Sequence, residues 1–219
     1  MRKILFTLLA MTSIMVQAQT RVACIGNSIT YGHGIEDREH DTYPAQLQVL
    51  LGSNYDVQNF GVSGTTAQSE GDFPWISTPE YKKAIAFRPR VAVIKLGTND
   101  SKPQNWVGAD RFVQNLERIA TEFESLPSHP VIIIALPAKA YNHAWNINDS
   151  IIVNGEMPAV KAMAKRHKWQ LIDLHKATDK KQQLFPDGIH PTPEGAGLIA
   201  RKLKKAVEKA GKKAIKRSL

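Results

Sequence analysis

The sequence is poor in cysteine, with Cys24 as the only one among 219 residues. A single thiol excludes an internal disulfide, so the folded chain depends on core burial for its stability. Cys24 lies within a run of apolar residues, which favours a buried apolar side chain. The alternative, a lipid-modified cysteine, is disfavoured because Cys24 lies well beyond the apolar stretch near the N-terminus and follows Arg21.

Long apolar runs are also missing beyond the leader, so we expect no stable membrane span. Residues 1–18 have the pattern of a signal peptide: two cations, an apolar stretch that is too short to stay in a membrane, and small residues before a cleavage point after Ala18. We therefore expect an exported chain, periplasmic or secreted. The remaining residues, 19–219, have the length of a single domain.

The chain lacks an excess of acidic residues. Its 29 Lys and Arg outnumber its 20 Asp and Glu, which gives a net charge of +9. The excess is concentrated in residues 201–219, where Glu208 is the only acid. We interpret this segment as a basic C-terminal helix with a solvated face and a tail, the alternative being attraction to an anionic surface. No nucleic-acid partner is expected, because no binding motif or aromatic platform is present. No pattern specifies an oligomeric state.

Apolar, β-prone runs recur along the chain, and several are continuous rather than alternating. Continuous runs are typical of strands that are covered on both faces. Helical segments separate them, which predicts a parallel sheet with helices on both sides. We expect a flavodoxin-like three-layer α/β/α sandwich with five parallel strands in the order 2-1-3-4-5. The predicted strands are Val22–Ile25, Tyr55–Phe60, Val91–Leu96, Val131–Leu136 and Trp169–Leu174.

Capping residues and apolar stripes locate the helices between these strands. Thr192 and Pro193 have the pattern of a helix start, and Gly211 is expected to end that last helix. Two connections, 64–78 and 139–150, are long for a compact domain, which is typical of functional loops. The predicted helices are Tyr43–Leu51, Pro79–Phe87, Asp110–Glu124, Pro158–His167 and the one that opens at Thr192-Pro193-Glu194.

Residues suited to acyl transfer follow the predicted strands where they end. Ser28 follows the first strand, Gly64 the second and Asn99 the third. Asp187 and His190 stand close together in the loop before the last helix. Because the carboxyl ends of parallel strands meet at one edge of a sheet, we expect these residues to face one another. Each also has a simpler interpretation alone, Ser28 as a helix cap and the others as turn or loop residues.

Together these five residues supply the parts of a serine hydrolase. His190 is the expected base for Ser28, and Asp187 is expected to hold the other ring nitrogen of His190. The expected oxyanion donors are the backbone N–H groups of Ser28 and Gly64 and the side-chain amide of Asn99. Glycine at position 64 is expected to let the backbone approach closely where a side chain would intrude.

Other polar positions receive lesser roles. Asp100 is interpreted as a structural cap or loop anchor. Ser63 is not expected to be the nucleophile, because its surroundings lack the closing glycine of a nucleophile elbow. We expect no metal site, and the remaining alternative is His33 and His40, which have two aspartates near them in sequence.

Four stretches resemble the SGNH hydrolases of the GDSL esterase superfamily, and they occur in the family's order. They span nearly the whole chain after the leader, and their combination is more specific than any one of them. The resemblance implies a Ser-His-Asp esterase built on the five residues above, with no metal or cofactor. One departure is Asn27, where many members carry aspartate. The stretches are IGNSITYG, NFGVSGTT, KLGTND and DGIHPTPEG.

A narrower resemblance concerns GNSITYG with LGTNDSKPQNW, which are similar to secreted bacterial carbohydrate O-acetylesterases, including sialate O-acetylesterase-like enzymes. It implies a serine esterase that removes O-acetyl groups from sialic acid or an acetylated glycan through an acyl-enzyme. The alternatives are a lysophospholipase or thioesterase with the same machinery and a non-catalytic carbohydrate-binding module. Five ring-bearing loop residues are candidates for stacking on sugars or for packing the loops. They are Trp75, Trp106, Tyr141, His143 and Trp145.

Overall fold

The computed structural model describes residues 19–217. Five parallel strands form one sheet in the order 2-1-3-4-5, which confirms the predicted topology. The predicted signal peptide, residues 1–18, lies outside the described residues. The strands are β1 (Thr20–Gly26), β2 (Tyr55–Gly61), β3 (Val91–Lys95), β4 (Val131–Ala135) and β5 (Gln170–Ile172).

Helices connect the strands and cover both faces of the sheet. The predicted caps Thr42 and Thr192 each accept a hydrogen bond from a backbone N–H in the first turn of a helix. A π-helical turn, Ile152–Glu156, precedes one of them. The α-helices are α1 (Ser28–Tyr31), α2 (Arg38–Asp41), α3 (Tyr43–Leu51), α4 (Pro79–Ala86), α5 (Ala109–Glu124), α6 (Asp149–Ile151), α7 (Met157–His167), α8 (Leu174–Thr178) and α9 (Pro193–Lys216). Short 3₁₀ turns lie at Trp75–Ser77, Ala144–Asn146 and Gln182–Leu184.

The sheet divides the apolar core into two layers. Successive residues of β1 point to opposite faces, so Ile25 packs in one layer and Cys24 in the other. The apolar stripe of α5, including Phe112, faces the first layer, whereas Leu47 of α3 and Leu203 of α9 face the second. Cys24 is a free, buried thiol whose pKa is raised by burial to about 12. The predicted three-layer sandwich and the buried Cys24 are therefore confirmed.

The last helix runs further than predicted. The expectation that Gly211 ends it is wrong, because α9 continues to Lys216. A Cβ atom at Gly211 would lie 3.0 Å from the hydroxyl of Tyr55, so glycine serves close packing of α9 against β2. Most lysines and arginines of α9 are exposed, while Ile199 and Leu203 are buried, as expected for a helix with a solvated basic face.

The helix predicted as Pro158–His167 begins earlier than expected. Helical backbone runs without a break from α6 through Ile152–Glu156 into α7. Pro158 lacks the N–H that an α-helical ladder needs, and the preceding turn is π-helical, with the Met157 N–H donating to the Ile152 carbonyl. Glu156 is fully buried within this turn. The predicted long loop 139–150 is correspondingly shorter.

The fifth strand is shorter than the predicted Trp169–Leu174. Asp173 leaves the sheet, and its carboxylate accepts a hydrogen bond from the Lys176 N–H as the cap of α8. Trp169 precedes β5 and packs on the core.

Within residues 19–217, none of the helices combines the length and the apolar character needed to cross a bilayer.

Candidate active site

The end of β1 presents Ser28 at the edge of the sheet. Asn27 caps α1, its side-chain oxygen accepting a hydrogen bond of 3.2 Å from the Ile29 N–H. Ser28 is the first residue of that helix and is only 7% exposed. The interpretation of Ser28 as the helix cap is therefore wrong, because Asn27 performs that role and leaves the Ser28 hydroxyl free for another partner.

The partner of Ser28 is His190, which approaches from the loop before α9. The Nε2 atom of His190 lies 2.8 Å from Ser28 Oγ. The Nδ1 atom of the same ring lies 2.6 Å from Asp187 Oδ2. Asp187 Oδ1 accepts hydrogen bonds from the backbone N–H groups of His190 and Ile189, at 2.7 and 2.9 Å. The three residues thus form the continuous hydrogen-bonded line that a nucleophile, a base and its orienting carboxylate require.

The surroundings of these residues favour a neutral histidine beside a charged carboxylate. Burial lowers the pKa of His190 below its ordinary value of 6.5, and this effect outweighs the opposing hydrogen bond and charge of Asp187. Burial acts to raise the pKa of Asp187, but hydrogen bonds from the His190 backbone, the His190 ring and Ile189 hold it below its ordinary value. At neutral pH His190 is therefore a free base with an ionised partner.

The residues that carry the three predicted oxyanion donors line the same cavity as His190. Ser28, Gly64 and Asn99 all contact it. Asn99 is almost completely buried, and its side-chain amide donates a hydrogen bond of 3.0 Å to the Thr65 carbonyl. Gly64 has a backbone φ of 84°, whereas a Cβ atom there would meet only Phe73, at an ordinary 3.8 Å. We expected glycine at position 64 because of a lack of space for a side chain. The structure shows instead that the left-handed backbone requires it.

Asp100 joins the two segments that carry Gly64 and Asn99. Its buried carboxylate accepts hydrogen bonds from the N–H groups of Ala67 at 2.9 Å and of Gln68 at 2.9 Å. It also accepts one from the Gly97 N–H, at 3.1 Å. Burial raises the pKa of Asp100 to about 6, against the effect of these donors. Asp100 thus acts as the loop anchor that we expected.

The catalytic cavity has a volume of about 230 Å³. His33, which the α1 turn brings back to the site, packs its ring on His190 with centroids 4.4 Å apart. His33, Lys102 and Ile147 line the cavity, yet they were not predicted as site residues. The sequence places His33 shortly after Ser28 and Lys102 shortly after Asn99, and this proximity is the signal that could have identified them. A larger cavity of about 720 Å³ lies along β2 and α3, but Ser28, Asp187 and His190 do not line it.

Of the five ring-bearing candidates for substrate contact, Trp145 alone lines the catalytic cavity. It is 58% exposed, and its ring lies edge-on to His190 at a centroid distance of 6.2 Å. Trp75 is wrong as a substrate contact, because it is fully buried in the core and its indole N–H donates to the Phe60 carbonyl. Its loop packs inward to complete the first core layer.

The other three candidates lie outside the cavity lining. Trp106 is partly buried and packs against Phe112, with centroids 6.3 Å apart. The hydroxyl of Tyr141 donates to the Thr178 carbonyl and accepts a hydrogen bond from the Lys181 N–H, so this ring serves packing. His143 is exposed beside the Ala144–Asn146 turn.

The histidines considered for metal binding have other partners. His40 is exposed and pairs with Asp37 at 2.9 Å, while His33 lies against His190. Within residues 19–217 no group of three or more His, Cys, Asp or Glu side chains has an arrangement that could hold a metal ion.

Solved structures share this fold. An aryl esterase from M. smegmatis has a TM-score of 0.74 at 19% identity, covering 87% of this chain and 99% of that one. A carbohydrate acetylesterase from Sinorhizobium meliloti has a TM-score of 0.71 at 16% identity, covering 87% and 99%. At these identities the likeness concerns the fold alone.

Sequence comparison adds a relative and a family. An acetylxylan esterase from Xylanibacter ruminicola is 41% identical over 206 residues, covering 86% of this chain and 43% of that protein. This chain therefore spans less than half the length of that relative. Residues 24–198 match the model of the GDSL-like Lipase/Acylhydrolase family, a range that contains all five predicted catalytic and oxyanion residues. The chain belongs to the GDSL-like Lipase/Acylhydrolase family.

Proposed function

We propose that this chain is a serine ester hydrolase that removes O-acetyl groups from a carbohydrate. The observation that carries the proposal is the line from Ser28 Oγ through the His190 ring to Asp187, with contacts of 2.8 and 2.6 Å. The line ends at a cavity into which a substrate carbonyl fits. A hydroxyl, a neutral base and an ionised carboxylate in this order are the requirements of acyl transfer through a serine.

The reaction divides into two acyl transfers. Ser28 Oγ attacks the acetyl carbonyl while His190 Nε2 takes the hydroxyl proton. The bond between the carbonyl carbon and the sugar oxygen then breaks, and His190 returns the proton to that oxygen. Water, deprotonated by His190, next attacks the acetyl-Ser28 ester. The bond between the carbonyl carbon and Ser28 Oγ breaks, His190 returns the proton to Oγ, and acetate leaves. Asp187 stays ionised throughout and stabilises the imidazolium that forms in each half.

Negative charge that develops on the carbonyl oxygen is stabilised by donors on three residues that line the cavity. The donors are the N–H groups of Ser28 and Gly64 and the side-chain amide of Asn99. Removal of one such donor costs about 3 kcal/mol of transition-state stabilisation in enzymes of this kind. Because Asp100 ties the Gly64 and Asn99 segments together through buried hydrogen bonds, the donors are held in place before substrate arrives.

The size of the cavity supports a short acyl group. Its volume of about 230 Å³ is below the roughly 300–1,000 Å³ of sites that enclose larger ligands. An acetyl group and the edge of a sugar ring fit this space, whereas a long acyl chain has no enclosed path in it. Acetylated xylan is the substrate we favour, because the 41%-identical relative is named an acetylxylan esterase. O-acetylated sialic acid, expected from the motifs, is the second carbohydrate to be tested.

Trp145 is the proposed contact for the sugar. Its backbone adopts a left-handed conformation, with φ at 60°, that holds an exposed ring over the cavity. His33 and His190 flank this ring, at centroid distances of 5.9 and 6.2 Å. An indole presented in this way supplies the apolar face on which a sugar ring stacks.

Export is proposed from residues 1–18, which carry a cationic start, an apolar stretch and a small residue at position 18. An exported, periplasmic or secreted location suits an enzyme that acts on extracellular glycans. The mature protein is then expected to begin at Gln19, which N-terminal sequencing of the protein from its native cell would show. Retention of Met1 would contradict export through this leader.

The substrate prediction is tested with p-nitrophenyl esters and natural acetyl esters. We expect kcat/KM to fall roughly 10-fold or more between the acetyl and octanoyl esters, because the cavity cannot enclose the longer chain. Acetate release from acetylated xylo-oligosaccharides is expected to exceed release from O-acetylated sialic acid. Ser28→Ala, the control, should lower kcat by about 10⁶-fold. A preference for octanoyl esters would instead indicate a lysophospholipase or thioesterase.

The role of Trp145 is tested by its replacement. Trp145→Ala should raise KM for acetylated xylo-oligosaccharides about 3- to 10-fold, the equivalent of one lost aromatic contact. The effect on p-nitrophenyl acetate should be smaller, because this ester has no sugar to stack. Trp145→Phe, which keeps an aromatic face, is the matched control and should recover most of the affinity. Equal effects of Trp145→Ala on both substrates would contradict a sugar-stacking role.

The pH profile tests His190 as the base. Only neutral His190 accepts the Ser28 proton, so activity is present above its pKa and is lost as the pH falls through it. Because burial lowers this pKa below 6.5, the acid limb of kcat/KM should have its midpoint below 6.5. The measurement is kcat/KM for p-nitrophenyl acetate between pH 4 and 8. A profile that stays flat down to pH 4, or a midpoint well above 6.5, would argue against this assignment.

A further inference from the structure

Two buried ionisable side chains, Lys95 and Glu156, have no role in the proposed reaction. Lys95 is the last residue of β3 and Glu156 is the last residue of the π-helical turn. Both are 0% exposed. Lysine and glutamate are almost never buried to this extent unless they are paired, because removing their charges from water costs free energy. π-helical turns are rare and occur frequently at functional sites.

Lys95 is connected to the nucleophile through Asn27. Its position in β3 is directly opposite Gly26, the last residue of β1. Lys95 Nζ donates a hydrogen bond of 3.2 Å to Asn27 Oδ1. The same oxygen accepts the Ile29 N–H at 3.2 Å. The side-chain oxygen of Asn27 is therefore held by two donors, and Ser28 lies on the short backbone between Asn27 and Ile29.

Glu156 is connected to the oxyanion segment. A Cβ atom placed on Gly97 would lie 2.6 Å from Glu156 Oε2, so the carboxyl group packs directly on the start of the segment that carries Asn99. Neither Glu156 oxygen has a hydrogen-bond partner among residues 19–217. The charged groups that act on it electrostatically are Asp100 and Lys95. Glu156 therefore has Lys95 as its opposite charge and Gly97 as its neighbour.

Electrostatics link this pair to the catalytic base. Burial lowers the pKa of Lys95 to about 7, against the attraction of Glu156. Burial raises the pKa of Glu156, as does the nearby Asp100, again against the attraction of its partner. The positive charge of Lys95 also contributes to the lowered pKa of His190. Burial thus favours the neutral form of each side chain, and the attraction between the two opposes that effect.

We propose that Lys95 is a positioning residue for ester hydrolysis, fixing the Asn27 side chain and with it the Ser28 turn through its hydrogen bond to Asn27 Oδ1, with the buried Glu156 as the acid that acts on it electrostatically. The inference rests on the proposed roles of Ser28 and His190. Lys95 touches neither substrate nor reacting atoms. Its contribution is to preserve the distance between Ser28 and His190 on which proton transfer depends.

Lys95→Met tests the proposal, because methionine keeps the length of the side chain and removes its donor and charge. We expect kcat for p-nitrophenyl acetate to fall about 10- to 100-fold, the effect of a misplaced nucleophile, with KM changed less than about 3-fold. Arg90→Met is the matched control. Arg90 lies just before β3, at the opposite end from Lys95, and its side chain donates to the Ala214 carbonyl. This variant should keep the wild-type kcat.

The pH profile supplies a readout that a purely structural role does not move. The charged groups acting on His190 are Asp187, His33 and Lys95, and Lys95 itself is acted on by Glu156. Loss of the Lys95 charge should raise the pKa of His190, so the acid limb of kcat/KM should move to higher pH in Lys95→Met. An acid limb at the wild-type position, with wild-type kcat, would overturn the proposal.

A double-mutant cycle tests whether Lys95 acts through Asn27. Asn27→Ala should lower kcat by itself, and adding Lys95→Met should lower the plateau kcat little further, because the acceptor is already missing. Fully additive losses would overturn the connection through Asn27.

A second variant removes the risk that Lys95→Met fails to fold with Glu156 left unpaired. Lys95→Met combined with Glu156→Met replaces both charges by apolar groups, a change that is often neutral or stabilising. Its melting temperature is expected to equal or exceed that of the wild type, with kcat still reduced about 10- to 100-fold. Wild-type kcat in this folded variant would overturn the proposal. An active Ser28→Ala protein would instead contradict the proposed catalytic function, so the two failures are distinguishable.

Discussion

The contact between His190 Nε2 and Ser28 Oγ is the interaction on which the proposed activity of this protein depends. It joins two residues 162 positions apart in the chain across 2.8 Å. Neither residue is reactive without it, because a serine hydroxyl is a weak nucleophile until a base takes its proton. The sheet makes the contact possible: β1 delivers Ser28 to its carboxyl edge, and the loop before α9 brings His190 to the same edge.

The remaining parts of the site preserve that contact. Asp187 holds the His190 ring with one oxygen and the local backbone with the other. Asp100 ties together the segments that carry Gly64 and Asn99 through buried backbone donors. In each case a carboxylate fixes backbone geometry. For Asp100, which is fully buried, this carries an electrostatic cost, because burial raises the pKa of its carboxyl group. Such preorganisation is worthwhile where the geometry determines the rate of a reaction.

The topology and the convergence of Ser28, His190 and Asp187 could be predicted from the sequence, because strand ends and capping residues such as Thr192 leave local signals. The sequence was insufficient where a residue's role depends on distant packing. Gly211 has the pattern of a helix end, but close packing against Tyr55 explains it. Trp75 lies in a loop that folds inward. The burial of Lys95 and of Glu156 has no local pattern, because it depends on how β3 and the π-helical turn pack in the folded chain.

The most direct test of the central claim is reaction of the protein with a fluorophosphonate, followed by peptide mass spectrometry. A fluorophosphonate phosphonylates a serine that a neighbouring base has activated. One adduct is expected, on Ser28, with labelling that is lost in His190→Ala. Absence of an adduct, or an adduct on another serine such as Ser63, would contradict it.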